Sequence, residues 1–314
     1  MINNFNMTEN TNWKYIGVDD HRKVSINTAN YDKFQLLLDN VEDIPIKSDQ
    51  FSRPQLKNIP VPSFGIIAVS VDDEYNKSTN TNTTILSYYV SQRRSTVEFA
   101  ETLRCGPRKE NLFEYFSSLT KHEKELLKNI SDNLDVFDKT WNDFLLDDAQ
   151  FFIKTQSKIK KIFGRYVPYL SMLLDLTENH TKEPSWGFPK GRAKTTDQTR
   201  LQSALREFTE ESRIEVKNIE LLWPEPIIDT YRGTDGCLYS TTYYVIKLPN
   251  KISVPLIESP GNLIHDRYLS HEMVNYRWIP FEKGKIIEKG TTTLPKRLEK
   301  ILINLHNNLN KKSN

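Results

Sequence analysis

The sequence predicts a layered α/β fold: an α/β/α sandwich with a helical insertion and an N-terminal extension. Three observations predict it. Apolar, β-branched runs stand on both sides of an acidic amphipathic helix. A second amphipathic helix closes the chain. A long tract of helical spacing separates the first two strands from the others.

The elements follow in chain order. Residues 1–58 are polar without sustained periodicity and are expected as an extension that packs loosely or carries short elements. Val61–Val71 and Thr84–Val90 read as two strands of a hairpin, with a polar loop from Asp73 to Thr83. Helical spacing recurs over 111–118, 121–132, 134–144 and 148–163, inside an insertion spanning about 93–178. Trp186 and Phe188 alternate with small residues as a short strand, ended by Pro189 and Gly191. Leu201, Ala204, Leu205 and Phe208 mark the buried side of the acidic helix. Ile219–Trp223, Pro226–Tyr231, Tyr239–Leu248 and Tyr276–Pro280 are further strands, with a turn over Tyr231–Gly236. Thr292–Leu309 is the closing helix, and 311–314 is expected to fray. Residues 59–314 are expected as one domain.

Composition narrows the function classes. With 314 residues, 37% hydrophobic, the chain can bury a sizeable core. No apolar run approaches the roughly 18 residues of a membrane span. The first fifteen residues have neither a basic start nor an apolar stretch, so no signal peptide is expected. Cys105 and Cys237 form no metal or disulfide pattern, which suits a reducing compartment. A net charge of +2 does not announce a nucleic-acid binder, though a local patch is compatible with it. One such run is Lys154, Lys158, Lys160, Lys161 and Arg165, read either as a solvated helix face or as an RNA contact.

The chemistry concentrates in Trp186–Arg192 and Arg206–Ser212, WGFPKGR and REFTEES. Glu207, Glu210 and Glu211, spaced by three and four residues, project from one helix face. Such a face is commonly plain solvated surface. The preceding loop, with Lys190 and Arg192 around Gly191, points instead to a phosphate held by metals. Hard cations such as Mg²⁺ or Mn²⁺ neutralise clustered carboxylates and serve phosphoryl chemistry.

These segments resemble the Nudix hydrolase box, covering about 191–214. Gly191 is followed after five residues by Asp197, where the family has Glu, and then by Arg206-Glu-Phe-Thr-Glu-Glu-Ser-Arg-Ile214. Eight residues separate Asp197 from Arg206 instead of seven, and Arg213 replaces a Gly that normally ends the helix with positive φ. WGFPKGR is very similar to the segment opening the box in eukaryotic mRNA-decapping enzymes. Arg93–Phe99 and the helical insertion resemble decapping enzymes of large cytoplasmic DNA viruses, of the poxvirus and asfarvirus type. Residues 271–278, HEMVNYRW, are similar to a later segment whose Glu joins the metals, which points to Glu272.

The resemblance implies a metal-dependent hydrolase in the cytoplasm, of the host if viral. It would release N7-methylguanosine diphosphate from capped mRNA and leave a 5′-monophosphate. Glu207, Glu210, Glu211 and Glu272 would bind Mg²⁺ or Mn²⁺, and Glu207, Glu210 and Glu272 would act in catalysis. Lys190 and Arg192 would contact the cap phosphates. Asp197 is a further candidate ligand, and Asp229 and Asp235 could approach the site, with turn formation the favoured role of Asp235. Two alternatives stay open: hydrolysis of diphosphoinositol polyphosphates or dinucleotides, and a catalytically weak scaffold that binds RNA or a protein.

Overall fold

The central strands are legible in their apolar runs because they are buried on both faces. The computed structural model describes residues 13–18, 22–40, 59–76, 81–104, 111–145, 156–157, 159–161, 163–164, 167–178, 181, 183–216, 219–248, 251–254, 257–258, 267–268, 270, 272–282, 285–286 and 294–313. The chain opens with a hairpin, β1 (Trp13–Val18) and β2 (Arg22–Asn27), and helix α1 (Thr28–Asn40). Strands β3 (Val61–Asn76) and β4 (Thr81–Arg93) follow. Their pairing continues from Val69↔Tyr88 to Asn76↔Thr81, so most of the expected polar loop is ladder.

Helices α2 (Val97–Leu103), α3 (Leu112–Ser117), α4 (Lys121–Asp132), α5 (Val136–Leu145) and α6 (Val167–Asp175) follow, with further helical residues described within 156–163. Phe99, Phe116, Leu127, Phe137, Trp141 and Leu173 pack into one cluster. Helix α1 joins it through Phe34 and Leu38, with Phe34 set edge-on to Phe113 at 5.0 Å. Of the two expectations for the leading segment, short elements are what its described residues carry, and α1 is packed rather than loose. Its apolar positions 31, 34, 37 and 38 have helical spacing, over a stretch too short to stand out among polar neighbours.

The main sheet has the order β12-β11-β4-β3-β8-β7. Its remaining members are β5 (Trp186–Gly187), β6 (Lys190–Gly191), β7 (Glu220–Arg232), β8 (Leu238–Leu248), β11 (Met273–Glu282) and β12 (Lys285–Ile286). The two-residue strands β9 (Ile257–Glu258) and β10 (Arg267–Tyr268) pair apart from it. Strand β3 runs parallel to β8, and the other pairings are antiparallel. Strand β7 unites the two strands expected over 219–231, through register shifts around Trp223 and Ile227. Pro224 and Pro226 fall there, tolerated because β7 is an edge strand.

Helix α7 (Arg200–Ser212) covers one face of the sheet, packing Ala204 and Phe208 on Phe64, Ile66, Ala68 and Tyr89. Helix α8 (Lys296–Ser313) covers the other, packing Leu298, Leu302 and Leu305 on Ile67, Val69, Tyr88 and Val90. The layers are those of the expected α/β/α sandwich. The closing helix runs on through Ser313, past the start of the expected fraying. Among the described residues, no helix is long and apolar enough to cross a membrane.

Candidate active site

The site lies where β3 and β4 part company. They pair directly only from Val69 and Tyr88 onward. Beyond that point Phe64 and Gly65 pair with Gly191 and Lys190, and Ser91 and Gln92 pair with Gly187 and Trp186. The segment 186–191 thus wedges the gap and completes both ladders. Two further bonds fix it, Ile66 N–H to Pro189 O at 3.1 Å and Arg93 N–H to Ser185 O at 3.1 Å. Trp186 and Phe188 anchor the wedge in the core on the α8 side. The Arg277 guanidinium lies 4.9 Å from the Trp186 ring centre. The approach is close enough that a Cβ on Gly65 would sit 2.6 Å from Pro189 O.

Helix α7 is aimed at this wedge. Its start is fixed by a capping box, with the Thr199 hydroxyl accepting from Gln202 N–H and the Gln202 side chain accepting from Thr199 N–H. Its end departs from the box pattern in identity but not in shape. Arg213 adopts φ 60°, ψ 16°, the left-handed conformation a glycine would take, and donates its N–H to Thr209 O at 2.8 Å. The next residue, Ile214, is buried.

The three glutamates meet three different surroundings. Glu211 is 7% exposed, and its Oε2 accepts the Lys190 backbone N–H at 3.1 Å. Burial, and then the Glu272 charge, push its carboxyl up to about 8, against the pull of Arg93 and Lys190. Glu207 lies against Gly191 so closely that a Cβ there would collide with its carboxylate. Burial raises its pKa while Arg206 opposes that shift. Glu210 is exposed and bonds Lys194 Nζ at 3.1 Å.

Arg206 is the hub of the helix face. It donates to Asp197 at 3.0 and 3.1 Å, to Glu207 at 2.8 Å, to Glu210 at 3.0 Å and to Arg192 O at 2.8 Å. The Asp197 carboxyl is held well below the usual range, first by Arg206 and then by the Lys194 N–H. The longer loop therefore still brings Asp197 onto Arg206, as a partner of the arginine.

Glu272 arrives from the far strand. Met273 pairs with Arg93 in the sheet, Arg94 N–H donates to Glu272 O at 2.7 Å, and Arg93 Nη2 lies 3.4 Å from Glu272 Oε2. Its neighbour His271 lies outside the described residues. Lys190 pulls down the pKa of both Glu211 and Asp229, which places its ammonium in the field of the two carboxylates. Arg192 is exposed, and its carbonyl accepts from Arg206.

Other candidates are engaged elsewhere. Buried Asp229 is paired with Arg297, whose guanidinium lies 3.8 Å from the Tyr231 ring centre. Tyr231 stacks its ring on Tyr239 at 5.5 Å. Asp235 shapes the turn, accepting from Cys237 N–H and Tyr239 O–H. Lys160 is bound to Asp138 at 2.6 Å and lies 3.7 Å from Asp135. Lys161 is exposed; Lys154, Lys158 and Arg165 lie outside the described residues. Among the described residues, no three Asp, Glu, His or Cys side chains already converge as a metal-ligand set. Sequence reasoning assigned no role to Arg93 or to the Arg206 hub. Arg93 ends a strand whose partner opens one residue after Glu272, a register no spacing rule reveals.

Comparison with known proteins bears on this geometry. Residues 173–299 match the family model described as NUDIX domain. The chain carries a NUDIX domain. The Nudix match takes in the wedge, α7 and Glu272. A protein of Acanthamoeba polyphaga mimivirus described as "Putative mRNA-decapping protein" is 35% identical over 117 residues. That stretch covers 37% of this chain and 30% of the mimivirus protein. A C. elegans Ap4A hydrolase in a binary complex is similar at TM-score 0.30 and 12% identity, over 69% of this chain and 78% of its own. The NUDIX domain of Shewanella oneidensis NrtR, complexed with ADP ribose, is similar at TM-score 0.27 and 11% identity, over 73% and 78%. Nudix hydrolases as a family act on phosphoanhydride bonds and generally use divalent metals.

Proposed function

We propose that this chain is a Mg²⁺- or Mn²⁺-dependent Nudix hydrolase that removes the 5′ cap of mRNA. The hydrolase would comprise 59–314, with the helices of about 93–178 inserted. One observation carries the catalytic reading: buried Glu211, fixed by the Lys190 amide, feels the charge of Glu272 brought from another strand. A carboxylate desolvated beside a like charge is stabilised by a cation, so the donor set fits a hard divalent ion. Glu211, Glu207 and Glu272 would hold it, with Glu210 at the exposed margin. When bound, such an ion polarises a phosphoryl oxygen and acidifies water.

This chain's own groups do the remainder. Glu272, whose side chain is 43% exposed, is open to water and is proposed as the base that takes its proton. Lys190 and Arg192 neutralise the phosphates of the substrate. Arg206 holds Glu207 against Gly191, which keeps its second oxygen in a constant direction.

Decapping as the reaction is supported by the WGFPKGR segment and by the printed description of the mimivirus relative. A second reading, hydrolysis of diphosphoinositol polyphosphates or dinucleotides, is favoured by Lys160, whose charge is already paired with Asp138 instead of facing solvent alone. Cap-labelled RNA incubated with the protein and each metal decides between them. Release of N7-methylguanosine diphosphate supports decapping, and turnover of small diphosphates alone supports the second reading. No turnover of either substrate, with RNA still bound, supports a scaffold.

A further inference from the structure

Glu123, on the first turn of α4, is only 3% exposed. A buried carboxylate is costly unless every lone pair has a donor. Part of its bonding is local: Oε2 accepts Thr120 N–H at 2.8 Å in the capping box of α4. The rest reaches across the fold. Thr96 N–H donates to Oε1 at 2.7 Å, and Thr96 Oγ1 donates to Oε2 at 2.9 Å. Thr96 is itself the N-cap of α2, its hydroxyl accepting from Phe99 N–H at 3.1 Å. One carboxylate thus ties the starts of two helices, where helix dipoles favour negative charge.

The tie falls three residues from the site. Arg93 and Arg94 lead directly into Thr96. Arg94 N–H holds the Glu272 carbonyl, Arg93 holds its carboxylate, and Arg93 N–H holds the wedge through Ser185. A second contact from the insertion reaches the same connector, with the Arg94 guanidinium 5.1 Å from the Phe144 ring centre on α5. A free β-strand end would leave these donors to wander; here the insertion fixes them.

We propose that Glu123 is a positioning residue, and that the helical insertion sets the place of Glu272 opposite Glu211 through the Glu123–Thr96 clamp. This rests on the reading that Glu272 takes part in the reaction. Misplacement by about 1 Å is enough to slow a positioned group on the order of 100-fold, so a loosened clamp should be visible in the chemical step.

The test is a double-mutant cycle on cap dinucleotide hydrolysis with Mn²⁺, using Glu123→Gln and Glu272→Gln in the full chain. Glutamine keeps the shape but presents a donor where Glu123 accepts. Glu123→Gln should lower kcat about tenfold or more with KM within about twofold. In the Glu272→Gln background it should have almost no further effect. Thr96→Val, which removes only the hydroxyl, should show the same coupling more weakly and serves if Glu123→Gln does not fold. Leu173→Ala, in the insertion core on α6, a helix that carries neither clamp residue, should lower the melting temperature and leave kcat below melting unchanged. Equal losses from Glu123→Gln in both backgrounds, with Glu272→Gln impaired, overturn the clamp and leave the reading of Glu272 standing. Unchanged kcat in folded Glu123→Gln does the same. Normal turnover in Glu272→Gln overturns both.

Discussion

Glu211 near the end of α7 and Arg213, its C-cap, show how local conformation and charge set separate expectations. Arg213 holds a left-handed φ of 60°, which costs a side-chain-bearing residue roughly 1 kcal/mol relative to glycine. Arg213→Gly should therefore raise stability by about 0.5–1 kcal/mol in urea denaturation. An unchanged midpoint would mean the arginine gains an offsetting contact. Glu211 gives a pH dependence. Its folded pKa, about 8, lies above its unfolded value, so the folded state binds the extra proton. That stabilisation is full below an unfolded pKa of about 4.3 and is lost as pH rises through 8. In EDTA, Glu211→Gln should flatten this slope and stabilise the protein at pH 8 by roughly 1–3 kcal/mol, while hydrolysis with Mn²⁺ falls by most of its value. Full turnover in that variant would remove Glu211 from the proposed metal site.

Among the elements, the wedge 186–191 and helix α6 make the sharpest demands. A methyl on Gly191 would collide with the Glu207 carboxylate. Gly191→Ala should lower kcat by about tenfold or more, with stability measured separately. Normal kcat would show that Glu207 can swing aside without consequence. Helix α6 ends on Lys124, whose Nζ donates to Thr177 O, Thr177 Oγ1 and Glu178 O at 2.7–3.1 Å. Lys124→Met removes charge-assisted bonds to carbonyls that no helical N–H satisfies. It should cost about 2 kcal/mol, read as a shifted urea midpoint. Legibility followed periodicity. β3, β4, α7 and α8 were readable because their apolar faces repeat over many residues. The β7 bulge looks like a break in sequence because Pro224 and Pro226 interrupt the alternation. The three α7 glutamates were visible by spacing, whereas their separate fates depend on Arg206, Lys190 and Gly191, which act across space.

At the scale of the molecule, a helical cluster is fastened to a sandwich. Besides the Glu123 clamp, Thr234 Oγ1 donates to Glu98 at 3.1 Å, joining the β7–β8 turn to α2. The basic run of the insertion is a separate matter from these fastenings. Lys160 neutralises Asp138, so reversing it would harm the fold and blur an RNA experiment. Replacing Lys154, Lys158 and Lys161 with Glu, and leaving Lys160, should weaken binding of long capped RNA and flatten its salt dependence. Hydrolysis of cap dinucleotide should change by less than about twofold. Equal loss on both substrates would assign the run to folding.

The parted strands have a consequence in time. Phe64 and Gly65 find their partners more than a hundred residues later, at Gly191 and Lys190. Closing so long a loop is entropically uphill until the insertion has folded and shortened it. The seam should therefore form in the last kinetic phase of refolding. Protein caught before that phase would have native helix content and no hydrolysis, so catalysis would report the completion of folding more faithfully than circular dichroism does.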